Sequence, residues 1–216
     1  MPDCFIVAGP PRSGTSLIAG FMHRLGVRMG SSSNFLPANK DNPTGYYEDV
    51  NFVFLNDSIL ERAGGSVWSP PSRSQILNAG KIQNLQDQID YQISKKTGDG
   101  PWGWKDPRNC ITLPIYLNHC KPSVVVCHRD SRLIAESITE MNPGLSHQQA
   151  FDIASEYYER LIGVIRTEGI PHTIMYHELT LMDPDEAISQ LLNFTGVERN
   201  DDRVENCLEF VVPPCR

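Results

Sequence analysis

The opening residues of the chain are of types that can cradle an anion. Gly9 and Gly14 stand with four residues between them, Thr15 and Ser16 follow at once, and Arg12 lies inside the loop. Glycine lets the main chain approach a ligand closely, threonine and serine offer hydroxyl donors, and arginine brings a charged fork. The stretch before, Phe5-Ile6-Val7-Ala8, is a short apolar run suited to a buried strand. The stretch after, Thr15 to Met22, carries apolar residues at helical spacing. Strand, glycine turn and helix together place free N–H groups, and the positive end of the helix dipole, at Thr15 and Ser16. Pro11, Arg12, Ser13, Gly14, Thr15 and Ser16 are therefore the candidate contacts to a phosphate or sulfate. A lone glycine turn with Arg12 in solvent is the competing reading; the flanking strand and helix weigh against it.

The spacing nearly reproduces the glycine-rich loop G-x-x-x-x-G-K-[ST], except that Thr15 stands where the lysine belongs. That lysine reaches the β- and γ-phosphates of a nucleoside triphosphate. With Arg12 as the cation, the loop predicts an anion site not built for Mg-ATP. A P-loop nucleotide or small-molecule kinase is the competing enzyme. It would require the lysine and a strand-end carboxylate for Mg²⁺, for which Asp130 is the only fair candidate.

Further charges stand where apolar runs end. Trp102-Gly103-Trp104 delivers Lys105 and Arg108, and Val124-Val125-Val126-Cys127 delivers His128 and Arg129. Stepping along the chain, the pattern predicts helices over Val50 to Ala63, Ile76 to Lys96, Cys110 to His119, Ser131 to Thr139, Ser146 to Thr167 and Asp185 to Phe194. One more is expected before Pro213-Pro214. A last strand is expected over Thr173 to Tyr176, and loops over 31–45 and 66–74. Strands alternating with helices imply an α/β fold: a three-layer parallel sheet with helices on both faces, of the P-loop nucleotide-kinase type. Such sheets bind ligands at the carboxyl ends of their strands, where Arg12, Lys105, Arg108 and Arg129 converge.

The 216 residues read as one domain over 1–216, long enough to bury a core without disulfides or metals. A net charge of −7 argues against nucleic acid or an anionic membrane as the main partner, while leaving room for one basic pocket. No run reaches the ~18 apolar residues of a membrane helix. A strand beginning at residue 5 leaves no room for a signal peptide. The cysteines at 4, 110, 120, 127, 207 and 215 form no CxxC pair. Neither zinc nor any other metal is expected, and the cytoplasm is the expected compartment.

At this point the sequence resembles the sulfotransferases that use 3′-phosphoadenosine 5′-phosphosulfate (PAPS). Pro11-Arg12-Ser13-Gly14-Thr15-Ser16 is similar to that family's 5′-phosphosulfate loop. Val124 to Arg129, with Ser137 eight residues on, is similar to its strand-Arg and helix-Ser pair, which holds the 3′-phosphate. Lys105-Asp106-Pro107 resembles a segment of tyrosylprotein sulfotransferases whose lysine faces the transferring group. Asn42-Pro43-Thr44-Gly45-Tyr46-Tyr47-Glu48 resembles a segment of bacterial members, and Met175 to Leu179 fits the C-terminal pattern. The histidine base and the C-terminal Arg-Lys-Gly clamp of the cytosolic small-molecule enzymes have no counterpart.

The resemblance implies sulfuryl transfer from PAPS to an acceptor hydroxyl or amine by in-line displacement, leaving adenosine 3′,5′-bisphosphate. Arg129 and Ser137 would hold the cofactor with the loop, and Arg12 and Lys105 would neutralise the leaving oxygen. Glu48 is the candidate base, with His128 in reserve. The acceptor could be a small molecule, a glycan or a peptide. Several blander readings stay open: Glu48 as a helix cap, Lys105-Asp106 as a surface ion pair, Arg129-Asp130 as a cap pair, and a non-catalytic bisphosphate binder. His23, His119, His147, His172 and His177 are expected to be structural or exposed, and the tryptophans to be core or pocket wall.

Overall fold

The computed structural model describes residues 4–211. At its centre four parallel strands pair in the order β2-β1-β3-β4. They are β1 (Cys4–Ala8), β2 (Trp102–Lys105), β3 (Pro122–His128) and β4 (His172–Tyr176). Alternate side chains of each inner strand enter opposite apolar layers. Cys4, Ile6, Ala8, Val124 and Val126 face one; Phe5, Val7, Val125 and Cys127 face the other. A strand covered on both sides must be apolar throughout, which is why these runs do not alternate with polar residues.

The first layer is built by α2 (Val50–Arg62), α3 (Arg73–Ala79), α4 (Gln83–Lys96), α5 (Asn109–Tyr116) and α7 (His147–Glu168). The second is built by α1 (Thr15–Leu25), α9 (Pro184–Thr195) and α10 (Asp201–Phe210). Helix α6 (Ser131–Met141) packs Ile134, Ala135 and Ile138 on Ala150 and Ala154 of α7. This is the expected three-layer α/β arrangement. Register matters for function: Val7 pairs with Lys105, and Cys127 and His128 with Met175 and Tyr176. The strand ends carrying Lys105 and Arg129, and the loop after Ala8, therefore open on one edge of the sheet.

Three expectations are corrected. The single helix over Ile76 to Lys96 is two, α3 and α4, separated at 80–82. Gly80 lies so close to Ile115 that a side chain there would collide with it, and Ile82 is extended. The 66–74 loop ends early, because Ser72 and Gln75 form a reciprocal capping box that starts α3 at Arg73. A short helix, α8 (His177–Met182), leaves directly from β4, where no helix was expected. The tail helix is present as α10; Pro213-Pro214 and Cys215 lie outside the described residues.

Among the described residues no helix is long and apolar enough to cross a membrane. Cys4, Cys110, Cys120, Cys127 and Cys207 are all free thiols.

Candidate active site

The turn from β1 to α1 is built around two left-handed residues, Arg12 at φ 72° and Gly14 at φ 89°. Gly14 is required twice over. Its φ is costly for a side chain, and a Cβ there would run into the imidazole of His177. The Leu17 amide donates to the Gly14 carbonyl at 3.1 Å, so the amides of Thr15 and Ser16 precede the first helical bonds. Arg12 Nε donates to Ser137 Oγ at 2.9 Å, and its other arm to the Asp41 carbonyl at 3.0 Å. Arg129 donates to the Arg12 carbonyl at 3.1 Å. Its Nε is buried without a hydrogen-bond partner among the described residues, and Glu178 stands 3.7 Å away. Both guanidinium groups thus sit beside the loop with no carboxylate in hydrogen-bond contact. A buried cationic donor left open in this way calls for an anionic ligand.

Beside this cradle lies a buried acid–base pair. Lys105 is 2% exposed and Glu48 5%, and Lys105 Nζ donates to Glu48 Oε1 at 2.5 Å. The same ammonium reaches Ser16 Oγ at 3.3 Å, which ties the pair to the phosphate loop. Burial pushes the Glu48 carboxyl above the usual carboxylate range, outweighing the pull of Lys105 and Arg108 in the other direction. The pair is held from behind. Asp106, fully buried, accepts from Asn56 Nδ2 and from the Arg108 amide and guanidinium, each at 2.8 Å. Arg108 then stands 2.7 Å from Asp57 and 3.7 Å from Glu48.

These groups open into one cavity of about 450 Å³. Residues 31–49 cross its mouth. Asn42 Nδ2 donates to Ser16 Oγ at 2.9 Å. Asp49, buried at the start of α2, pairs with Lys96 and accepts from Asn34 at 2.7 Å. The opposite wall is Val67-Trp68, fixed where Tyr157 donates to the Val67 carbonyl at 2.9 Å.

Known structures share this fold. The sulfotransferase domain of the Synechococcus PCC 7002 olefin synthase superposes with TM-score 0.60 at 15% identity, over 96% of this chain and 77% of that one. Sulfotransferase STF9 of Mycobacterium avium gives 0.60 at 15%, over 97% and 67%. The sulfotransferase domain of the curacin biosynthetic pathway gives 0.56 at 14%, over 94% and 77%. The chain has the sulfotransferase fold. No family model matches it, and no curated protein does.

Within this sulfotransferase fold, Pro11, Arg12, Gly14, Thr15, Ser16, Glu48, Lys105 and Arg129 all line the cavity. Two named residues do not. Ser13 is 1% exposed with its hydroxyl packed under the loop against Gly9, and Ser137 faces Arg12, not Arg129. Several open alternatives close. Asp49, not Glu48, caps α2 by accepting from the Asn51 amide. Lys105 pairs with Glu48, not with Asp106, and is no surface bridge. Asp130 caps α6 and pairs with Arg132, leaving Arg129 to the cavity. His128 stacks on Tyr158 at 5.1 Å and does not line the cavity, so it is withdrawn as reserve base. His177, expected to be structural or exposed, lies against Gly14 and also lines the cavity. The signal for it was its place just past the carboxyl end of β4. Trp102 and Trp104 are core, and Trp68 is wall.

Proposed function

We propose that this chain is a PAPS-dependent sulfotransferase acting on an acceptor hydroxyl. What carries the reading is the pairing of two features in one cavity: a cradle whose arginines have no carboxylate within hydrogen-bond distance among the described residues, and the buried Glu48–Lys105 pair beside it. The residues fit such a donor. Gly14 leaves room for a close backbone approach, Thr15 and Ser16 offer amides and hydroxyls, and Arg12 and Arg129 offer open positive charge. Arg12 and the loop would take the sulfated phosphate, and Arg129 the remaining phosphate, with Ser137 steadying the Arg12 guanidinium. The dispersed free thiols accord with a reducing compartment such as the cytoplasm; the acceptor would be a small molecule, glycan or peptide.

When bound, PAPS supplies a sulfuryl group whose S–O bond to the 5′-phosphate breaks as the acceptor oxygen bonds to sulfur. Glu48 takes the proton from the acceptor hydroxyl. Lys105 and Arg12 offset the negative charge that grows on the departing oxygen, and the amides of Thr15 and Ser16 add fixed dipoles. By analogy with phosphoryl transfer, positioning and charge neutralisation supply the acceleration. The test is transfer of ³⁵S from labelled PAPS to an acceptor. Glu48→Gln should lower turnover by about 10²–10⁴-fold while adenosine 3′,5′-bisphosphate still binds. Unchanged turnover in that variant would remove Glu48 from the chemistry, and failure of the wild type to bind the bisphosphate would end the reading.

A further inference from the structure

Resting on the proposed sulfuryl transfer, we infer that the acceptor is a hydroxyl borne on an uncharged, apolar body, and that anionic acceptors are excluded. The cavity is electrically lopsided. At the cradle, Arg12 makes its contacts to a hydroxyl and a carbonyl, and Arg129 keeps a buried Nε without a hydrogen-bond partner among the described residues, with the half-exposed Glu178 3.7 Å away. That end is reserved for the anionic donor. Around Glu48 the balance reverses. The two cations there, Lys105 and Arg108, already face three carboxylates. Lys105 meets Glu48, while Arg108 meets Asp106 at 2.8 Å, Asp57 at 2.7 Å and Glu48 at 3.7 Å. No cation is left at that end for an acceptor carboxylate, phosphate or sulfate. The ionised base makes the formal sum negative, so a second negative charge would meet repulsion from carboxylates of which two, Glu48 and Asp106, are buried.

Tyr46, Val67, Trp68 and Pro107 line the same cavity as Glu48 and Arg108 and give it an apolar face. Of its polar lining, Asn42 is bonded to Ser16 and Thr44 to Asn42, and Asp41 adds one more carboxylate. Trp68 is backed by the α6–α7 cluster, and the Val67 carbonyl is tied down by Tyr157, so this wall is fixed in place. Such surface gains by covering an apolar body and offers little to a sugar, whose hydroxyls would be stripped of water without partners.

The experiment is a matched set of probes on the full chain: 2-naphthol, 6-hydroxy-2-naphthoate and N-acetylglucosamine. Each is titrated against protein saturated with adenosine 3′,5′-bisphosphate and then assayed with ³⁵S-labelled PAPS. 2-Naphthol should bind and be sulfated with kcat/KM at least about tenfold above its carboxylate analogue, the size of effect one like-charge contact gives. Asp57→Asn, which removes one of the three carboxylates, should narrow that ratio. Preference for the carboxylate, uptake of N-acetylglucosamine in place of 2-naphthol, or binding of none of the three to the bisphosphate complex would overturn the inference and leave the donor site standing. Absence of bisphosphate binding itself would instead overturn the reading on which it rests.

Discussion

Glu48 carries the heaviest chemical demand at the scale of single residues. A base works only when ionised, and burial has raised its pKa above the ordinary carboxylate value of about 4.3. Turnover should therefore fall as pH drops through that raised value, with an acid limb higher than an exposed glutamate would give. Glu48→Gln should lower kcat/KM by about 10²–10⁴-fold, the usual worth of a positioned base, and erase the limb. A pH series on wild type and variant, with bisphosphate binding as control, checks both. Arg129→Ala removes a charge-assisted contact of about 1.5–3 kcal/mol. It should weaken bisphosphate binding by tenfold or more, measured by calorimetry.

The elements decide whether these side chains meet. Gly14→Ala forces a β-carbon onto the His177 ring at a left-handed φ, so it should destabilise the protein by at least about 1–2 kcal/mol and abolish bisphosphate binding. A lowered melting temperature would report it. Tyr157→Phe frees the Val67 carbonyl, at about 1 kcal/mol of stability, and should raise the acceptor KM more than it lowers kcat. The strands, the glycine turn and the strand-end charges were legible because buried parallel strands write themselves as uninterrupted apolar runs. What stayed hidden depended on pairs distant in sequence. Whether Glu48 capped a helix or faced Lys105 could not be settled when Asp49, beside it, could also cap. Ser137 matched Arg129 in spacing, yet the fold turns it to Arg12. The break between α3 and α4 falls where Ile82 turns extended, close to Gly80, which lies against Ile115 of another helix; no local pattern contains that contact.

At the scale of the molecule, a chain of net charge −7 holds one cationic recess at the edge of its sheet. Attraction of an anionic donor is thus local and short in range. Raising the salt to about 1 M, where screening acts within ~3 Å, should weaken bisphosphate binding without shifting the melting temperature downward in parallel. The measurement that tests the central proposal most directly is calorimetric titration of wild type and Arg129→Ala with adenosine 3′,5′-bisphosphate, with Mg-ATP alongside. Binding of the bisphosphate to wild type at micromolar strength or tighter, without Mg²⁺ and weakened tenfold or more in the variant, is the expected result. Binding of Mg-ATP alone would contradict it and return the site to a kinase.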